Sequence, residues 1–470
     1  MKDYIEPYLG ILNLISNMKI TIVGTGYVGL VTGASMAVLG HKVTCVGRKK
    51  DNIDQINSGK SPFFEPGLDS LLEKLIKKGL IIATNNLEKS VKSSDFTIIA
   101  VGTPIVDSKI DLSEIREASK QIGEALRYIK KYHIVIVKST VVPGTSENVV
   151  KPILEEYSSK NVGKDFGLCM NPEFLREGNA LGDALNPDRF IIGQYNAKSG
   201  KEFSKVYLKN KCPIIFTNLK TAEMTKYANN ALLATLISFA NEIARISEKV
   251  GDVDVLDVWK GVHLDRRLSP INGKTRIKPG ILNYILSGCG YGGSCFPKDT
   301  KALASFADEI QEEAELIKSV IHINSTQPHR LILLLKNAIG QNLKDKKIAI
   351  LGLSFKPDTD DLRESPALAV ISLLLKDGAR VTCHDPKAYK IGGPKELGKL
   401  NVALSKNVQE ALDDSDAALL ITSWEEYKKL TPDVFKTYMK TPIVVDGRRI
   451  FDKEKFEKAG IIYKGIGLGN

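Results

Sequence analysis

The chain has 470 residues, more than one hydrophobic core organises, so two or three domains are expected. At 43% hydrophobic and 26% charged residues the composition is globular, and no apolar run reaches the roughly 18 residues that span a bilayer. The net charge of +11 is not gathered into Lys/Arg blocks interleaved with aromatics, which excludes nucleic acid as the expected partner and leaves small anions, nucleotides among them.

The opening "MKDYIEPYLGILNLISN" has an acidic start, a short apolar stretch and no small-residue cleavage pattern. Residues 1–17 therefore read as an N-terminal extension ahead of a second methionine, Met18, and not as a signal peptide. From there "MKITIVGTGYVGLVTGASMAVLGHKVTCVG" reads as strand, glycine turn, helix and strand. The apolar run Ile20 to Val23 stops at Gly24, helical spacing follows to Leu39, and Gly40 closes the helix. "FTIIAVGTP" and "HIVIVKSTVVPGT" are further buried-strand runs, each preceded by helix-like sequence. That alternation predicts a parallel sheet covered on both faces, a NAD(P)-binding Rossmann-like domain over 18–218.

From Leu219 the texture changes. "TAEMTKYANNALLATLISFANEIARISEKVG" is amphipathic without Pro or internal Gly until Gly251, predicting one helix of about thirty residues. It opens a central helical domain, 219–338, that also carries a cysteine loop. "KKIAILGLSFKPDTDDLRESPALAVISLLLKDGARVTCHDP" then repeats the opening strand–loop–helix–strand logic, and "DAALLITSW" and "TPIVVDGRRIF" add parallel strands to a third region, 339–470. The expected fold is α/β: two Rossmann-like doubly wound parallel-sheet domains joined by a helical middle with one long bridging helix.

Two loops carry chemistry. In "GTGYVG", Gly24 permits a tight turn, Gly26 lets backbone amides approach a pyrophosphate at the positive helix end, and Gly29 lets helix and strand pack closely. The acidic residue expected about twenty residues on, at the tip of the second strand, is missing. That tip reads "CVGRKK", with Gly47, Arg48, Lys49 and Lys50, so NADP fits the local sequence as well as NAD.

The second loop is "GCGYGGSCFPKDT", residues 288–300. Four glycines leave Cys295 little side-chain shielding, and a helix starting near Pro297 would set Asp299 beside it. A nucleophilic thiolate needs nearby positive charge, which a helix N-terminus or a lysine provides. A nicotinamide site beside a cysteine suggests a four-electron oxidation. Hydride removal turns a primary alcohol into an aldehyde, and thiolate attack gives a thiohemiacetal. A second hydride removal gives a thioester, which water cleaves to the acid. The six histidines form no metal-spaced cluster and no metal is assigned. The six cysteines contain no CxxC pair, so neither a zinc ribbon nor a disulfide framework is expected, and a reducing cytoplasm follows.

From Met18 to about Phe451 the chain resembles the UDP-glucose/GDP-mannose dehydrogenase family. The motifs, in order, are "GTGYVGLVTG", "VGTP", "KSTVVPGT", "NPEFLREG", "NPDR", "AEMTKYANNALLA", "GYGGSCFPKD", "FKPDTDDLRESP" and "DGRR". The resemblance implies that Cys295 is the nucleophile and that Lys226 stabilises the oxyanion, with Asn230 one turn later on the same helix face. It implies that Asp299 acts with Thr140 and an ordered water in proton transfer, and that Glu173 assists thioester hydrolysis. On the cofactor side it places Tyr27 and Val28 of the glycine loop, Thr103, Thr140, Glu177 and Arg363, and the departing strand tip adds Arg48. On the substrate side it places Glu173, Lys226, Asn230, Tyr284, Gly292, Phe355, Lys356 and Arg448.

The implied reaction is NAD(P)-dependent oxidation of the C6 alcohol of a nucleotide sugar. Ser294 before the cysteine and Lys298 after it favour UDP-glucose or GDP-mannose over N-acetylated UDP-sugars, and the long helix looks like the UDP-glucose branch. UDP-glucose to UDP-glucuronate is thus expected, with GDP-mannose or another UDP-hexose as the enzyme alternative and an inactive nucleotide-sugar sensor as the non-enzyme one. "DRRLSPINGKTRIKPGILNYI" departs from the family's compact segment, so the partner-subunit arginine stays open among Arg266, Arg267 and Arg276. The long helix is a natural homodimer interface. No membrane partner is expected.

Overall fold

The computed structural model describes residues 18–388, 397, 400 and 402–469; the N-terminal extension read at 1–17 lies outside them. The chain divides into two compact units, one ending at Ala228 and the other starting at Asn229.

In the first unit, eight strands form one sheet: β1 (Lys19–Val23), β2 (Lys42–Val46), β3 (Ile81–Thr84), β4 (Phe96–Ile99), β5 (His133–Val137), β6 (Phe166–Met170), β7 (Phe190–Gln194) and β8 (Ile214–Thr217). Their order is β8-β7-β6-β5-β4-β1-β2-β3, and every neighbouring pair is parallel except β6 with β7. Every residue of β4, β5 and β6 is buried, which is why these strands read as mainly apolar runs and not as alternations. The order reverses between β1 and β4, and a doubly wound sheet opens a ligand crevice at the carboxyl ends of its strands at such a point.

The helix α1 (Tyr27–Val38) follows β1 and buries Leu30, Val31, Ala34 and Met36 against Ile20, Ile22 and Val43. Glycine lets it lie close. A Cβ on Gly29 would sit 2.2 Å from the Gly24 carbonyl oxygen, and one on Gly33 would sit 3.1 Å from Cys45 Sγ. On a second core, α2 (Ser113–Leu126) packs Ile115, Ala118 and Ile122 against Val23, Val135 and Val137.

The long helix predicted from Leu219 is α3 (Leu219–Val250), 32 residues ended by Gly251 at φ +79°. It starts in the first unit and runs on in the second. The second unit holds a six-stranded, fully parallel sheet of β9 (Lys347–Leu351), β10 (Arg380–His384), β11 (Ala403–Leu404), β12 (Ala417–Leu420), β13 (Ile443–Asp446) and β14 (Ile462–Gly465), in the order β11-β10-β9-β12-β13-β14. Three further helices matter for the site: α4 (Phe296–Glu309), α5 (Glu315–Ile339) and α6 (Pro366–Lys376). Ala240 and Ala244 of α3 and Leu331 and Leu335 of α5 share one core with Ile348 and Ile350 of β9. The helical residues from Asn229 onward and the second sheet therefore form a single packed body. The α/β class, the long helix and the two sheets agree with the sequence reading, except that the first sheet carries one antiparallel pair, β6 with β7.

Candidate active site

The glycine loop has the geometry its motif demands. Gly24 adopts φ +125°, and a Cβ there would lie 2.2 Å from the Ala100 carbonyl oxygen. At Gly26 an added Cβ meets nothing within 4 Å, so the backbone faces open space. Gly26 is also the N-cap of α1 and makes no side-chain cap, which leaves the first-turn amides for an anion. These residues fit the pyrophosphate of a dinucleotide.

Around the loop, Tyr27 is a strut. Its hydroxyl donates to the Glu65 carboxylate and accepts from the Gly178 amide at 3.0 Å, while Glu65 also takes the Leu181 amide at 3.1 Å. Burial, Glu65 and the nearby Glu177 carboxylate together push the Tyr27 phenol well above its usual range. Val28 is half-buried against the core of that face. Thr103, after β4, donates its hydroxyl to the Thr140 carbonyl after β5 at 2.8 Å, so two of the named residues meet at the strand ends. At the β2 tip, the carboxylate missing from the local sequence is present in space. Glu114 of α2 takes the Arg48 guanidinium on one oxygen and the Gly102 amide, at 3.0 Å, on the other.

A second cluster in this unit is buried and charged. Lys226, on α3, donates to Glu173 Oε1 at 2.8 Å; the pair is 2% and 7% exposed. Glu173 Oε2 takes the Leu175 amide at 2.6 Å. Burial alone would raise the Glu173 carboxyl, but Lys226, that amide and Lys138 outweigh it and hold it below its usual range. Lys138, which the sequence reading passed over inside "KSTVVPGT", is buried and donates to Asn171 Oδ1 at 3.0 Å. Burial, aided by Lys226 and opposed by Glu173, lowers its ammonium to about 8. Asn171 is fixed in turn by the Tyr207 hydroxyl at 2.7 Å and by its own bond to the Ile191 carbonyl at 2.8 Å. The Phe174 ring faces two cations, Arg189 at 4.0 Å and Lys226 at 5.5 Å.

In the second unit the cysteine loop is pinned from three sides. The Gly288 amide donates to Asn241 of α3 at 2.8 Å, and Gln327 of α5 donates to the Gly288 carbonyl at 2.7 Å. Asn324 of α5 bonds both the amide and the carbonyl of Tyr291, at 2.8 and 3.0 Å. Gly293 donates to the Arg363 carbonyl at 2.9 Å. The glycines are needed here: a Cβ on Gly292 would lie 2.4 Å from the Glu364 carbonyl oxygen, and one on Gly293 2.8 Å from the Phe355 ring.

Cys295 comes out of this loop half-buried, as the N-cap of α4, with Sγ 3.7 Å from Ser294 Oγ. Asp299, one turn on and 1% exposed, accepts from Asn230 Nδ2 at 2.6 Å and from Lys298 Nζ at 2.6 Å. A thiol at a helix N-terminus, with a lysine and a buried carboxylate one turn away, is equipped to form a thiolate and move protons.

Other substrate-side candidates lie on the same unit. Arg448 donates to the Ile421 carbonyl at 2.6 Å, and its Nη1 would be 3.2 Å from a Cβ on Gly288. Lys356 stands 5.6 Å from the Phe355 ring, and Tyr284 lies 6.3 Å from the Phe296 ring. Arg363 forks onto Asp361 at 2.7–3.0 Å, the pairing its sequence neighbours allow. Of the three open arginines, Arg267 pairs with Asp265 at 2.6 Å and Arg276 donates to the Leu264 and Ser269 carbonyls. Arg267 also borders an open cleft of about 850 Å³ lined by Val262, Leu264 and Asp265. Among the described residues no group of His, Cys, Asp and Glu is placed to hold a metal, and no helix is long and apolar enough to cross a membrane.

A glycine-turn Rossmann sheet with a cysteine-bearing second unit defines a nicotinamide-dependent dehydrogenase. Three family models cover the chain: the NAD-binding domain of the UDP-glucose/GDP-mannose dehydrogenase family at residues 18–211, its central domain at 220–326 and its UDP-binding domain at 349–453. The chain is 38% identical to UDP-glucose 6-dehydrogenase YwqF of Bacillus subtilis, over 96% of its length and 98% of that protein's. Among solved structures, a UDP-glucose dehydrogenase from the hyperthermophilic archaeon Pyrobaculum islandicum matches with TM-score 0.86 and 34% identity, covering 97% of this chain and 100% of that one. A UDP-D-ManNAc dehydrogenase from Pyrococcus horikoshii matches with TM-score 0.82 and 28% identity, covering 96% and 100%. The chain belongs to the UDP-glucose/GDP-mannose dehydrogenase family. It is an NAD-dependent oxidoreductase with a nucleotide-sugar substrate.

Proposed function

We propose that the chain oxidises the C6 alcohol of UDP-glucose to the carboxylate of UDP-glucuronate. The observation that carries this reading is Cys295 at the N-terminus of α4 with Asp299 and Asn230 bonded one turn away. A hydroxy-acid dehydrogenase has no use for that thiol. Gly24, Gly26 and Gly29 would hold NAD, which would supply the hydride acceptor for each of two oxidations. Per sugar, one alcohol, one water and two NAD give one carboxylate, two NADH and three protons.

Within that reaction, Cys295 Sγ bonds to the aldehyde carbon, and the Lys226 ammonium donates to the oxygen that gains charge. Asn230 holds Asp299 in place, and Asp299, with Thr140 and a water, moves the alcohol and thiohemiacetal protons. Glu173, kept ionised by Lys226 and Lys138, is the base that deprotonates the water cleaving the thioester. Tyr27, Val28, Arg48, Thr103, Glu177 and Arg363 serve the cofactor. Tyr284, Gly292, Phe355, Lys356 and Arg448 serve the substrate's nucleotide and sugar.

Reduced-nicotinamide absorbance with UDP-glucose, UDP-galactose, UDP-N-acetylglucosamine and GDP-mannose tests the reading. Two NADH per UDP-glucose is the expected result. One NADH per sugar, or turnover confined to another sugar, contradicts it.

The assembly is a homodimer through α3. Leu232, Phe239, Ile246 and Val250 are exposed on that helix at spacings of seven, seven and four, an apolar stripe. Sedimentation of Phe239→Asp should show a monomer where the parent chain is a dimer; a monomeric parent refutes this. A cytoplasmic location accords with six cysteines none of which is in a disulfide. Recovery of the protein in a secreted fraction would contradict it.

A further inference from the structure

The tip of β2 presents Gly47, Arg48, Lys49 and Lys50, a sequence suited to a 2′-phosphate. Position 47 is crowded for a side chain: a Cβ on Gly47 would lie 2.7 Å from Thr25 Oγ1 and Cγ2. The structure nevertheless brings in an acid from another element. Arg48 follows β2 and Gly102 follows β4, the two strands that flank β1. With strands about 4.8 Å apart, those two loops stand about 10 Å from each other across the end of β1. Glu114 joins them, taking the Gly102 amide on one oxygen and the Arg48 guanidinium on the other. The pair thus spans the carboxyl end of β1, where the turn that starts at Gly24 follows the strand, and one of its two loops, after β4, borders the crevice at the switch point.

We propose that the Arg48–Glu114 pair is the filter that rejects a 2′-phosphate at the adenosine ribose, so that this chain selects NAD over NADP despite its cationic strand tip. The inference rests on the reading of the glycine loop as a dinucleotide site and adds the residue that sets its specificity. Glu114 acts twice. It occupies guanidinium donors that a phosphate would use, and it sets a negative charge beside a group that itself carries about −1.5 to −2. Arg48, with its side chain 75% exposed, and Glu114, at 35%, are open to an incoming ligand. Removing the carboxylate would take that partner from the Arg48 guanidinium, with Lys49 and Lys50 next to it in the sequence.

The test is calorimetric binding of adenosine 2′,5′-bisphosphate and of 5′-AMP to the full chain, which needs neither sugar nor turnover. The parent chain should bind the bisphosphate no more tightly than 5′-AMP. Glu114→Gln should shift the ratio of the two affinities toward the bisphosphate by about tenfold, the size expected for one charge facing a phosphate at contact distance with water-like screening. Adding Arg48→Ala to that variant should erase the shift. A parent chain that already prefers the bisphosphate tenfold, or a ratio unmoved by Glu114→Gln, overturns the inference. If 5′-AMP still binds in that case, the dinucleotide reading survives. Failure of both ligands to bind any variant overturns the two together.

Discussion

Replacing Lys138 by methionine isolates the cost of a buried charge beside the Glu173–Lys226 pair. The residue is 6% exposed and its pKa falls from 10.5 to about 8, chiefly by burial. A drop of about 2.5 units corresponds to about 3 kcal/mol. Because the folded value is the lower one, the unfolded chain holds the proton from pH 8 to 10.5 while the folded chain does not. Stability therefore rises with pH across that window, and below pH 8 the whole penalty is present. Methionine keeps most of the stem and removes the charge. It also costs Asn171 Oδ1 one donor, about 1 kcal/mol, although the Tyr207 hydroxyl remains on that oxygen. Lys138→Met should thus stabilise the first unit by about 2 kcal/mol at pH 7 and destabilise it by about 1 kcal/mol at pH 10.5. Both tryptophans, Trp259 and Trp424, lie beyond Ala228, so their fluorescence does not report this unit. Amide exchange of peptides from β5 and β6 does, with peptides from the second sheet as the control. A variant less stable at pH 7 that keeps the parent's pH slope between 8 and 10.5 would refute the reasoning.

Two further changes address the two units separately. Gly29→Ala places a methyl 2.2 Å from the Gly24 carbonyl oxygen, so α1 must retreat from the loop; about tenfold or more should be lost in NAD affinity, from roughly 1–3 kcal/mol of overpacking, and parent-like binding by calorimetry would count against the cradle. Asp446 is fully buried and takes the Arg448 and Phe451 amides at 2.9 Å each and the Tyr463 hydroxyl at 3.0 Å. Asp446→Ala should cost the second unit about 3 kcal/mol, read from Trp424 fluorescence in urea, and raise KM for UDP-glucose by loosening Arg448; an unchanged urea midpoint would refute it.

What the sequence made legible was what short range encodes. The glycine turn, the 32-residue helix and the cysteine at the start of α4 each follow from residues within one element, where spacing and backbone freedom speak directly. What stayed hidden depends on elements far apart in the chain. Glu114 reaches Arg48 across 66 positions, so no local motif could reveal the carboxylate at the β2 tip. Glu65 is held to Gly178 and Leu181 over more than a hundred residues. Glu223, on α3, is buried and accepts the Gly144 and Ser146 amides at the end of "KSTVVPGT", a clasp with no sequence signature. Lys138 did leave a trace: a lysine directly after four buried apolar residues, Ile134 to Val137, has little solvent to reach, and that position alone marked it for attention.

Mass spectrometry of the Cys295 peptide, taken from Glu173→Gln protein after exposure to UDP-glucose and NAD, tests the thioester route most directly. With hydrolysis slowed, that peptide should carry the mass of the covalently held UDP-sugar acid, and Cys295→Ser protein should carry none and form no acid. A chain that yields UDP-glucuronate with serine at 295, or that bears the adduct elsewhere, contradicts the account.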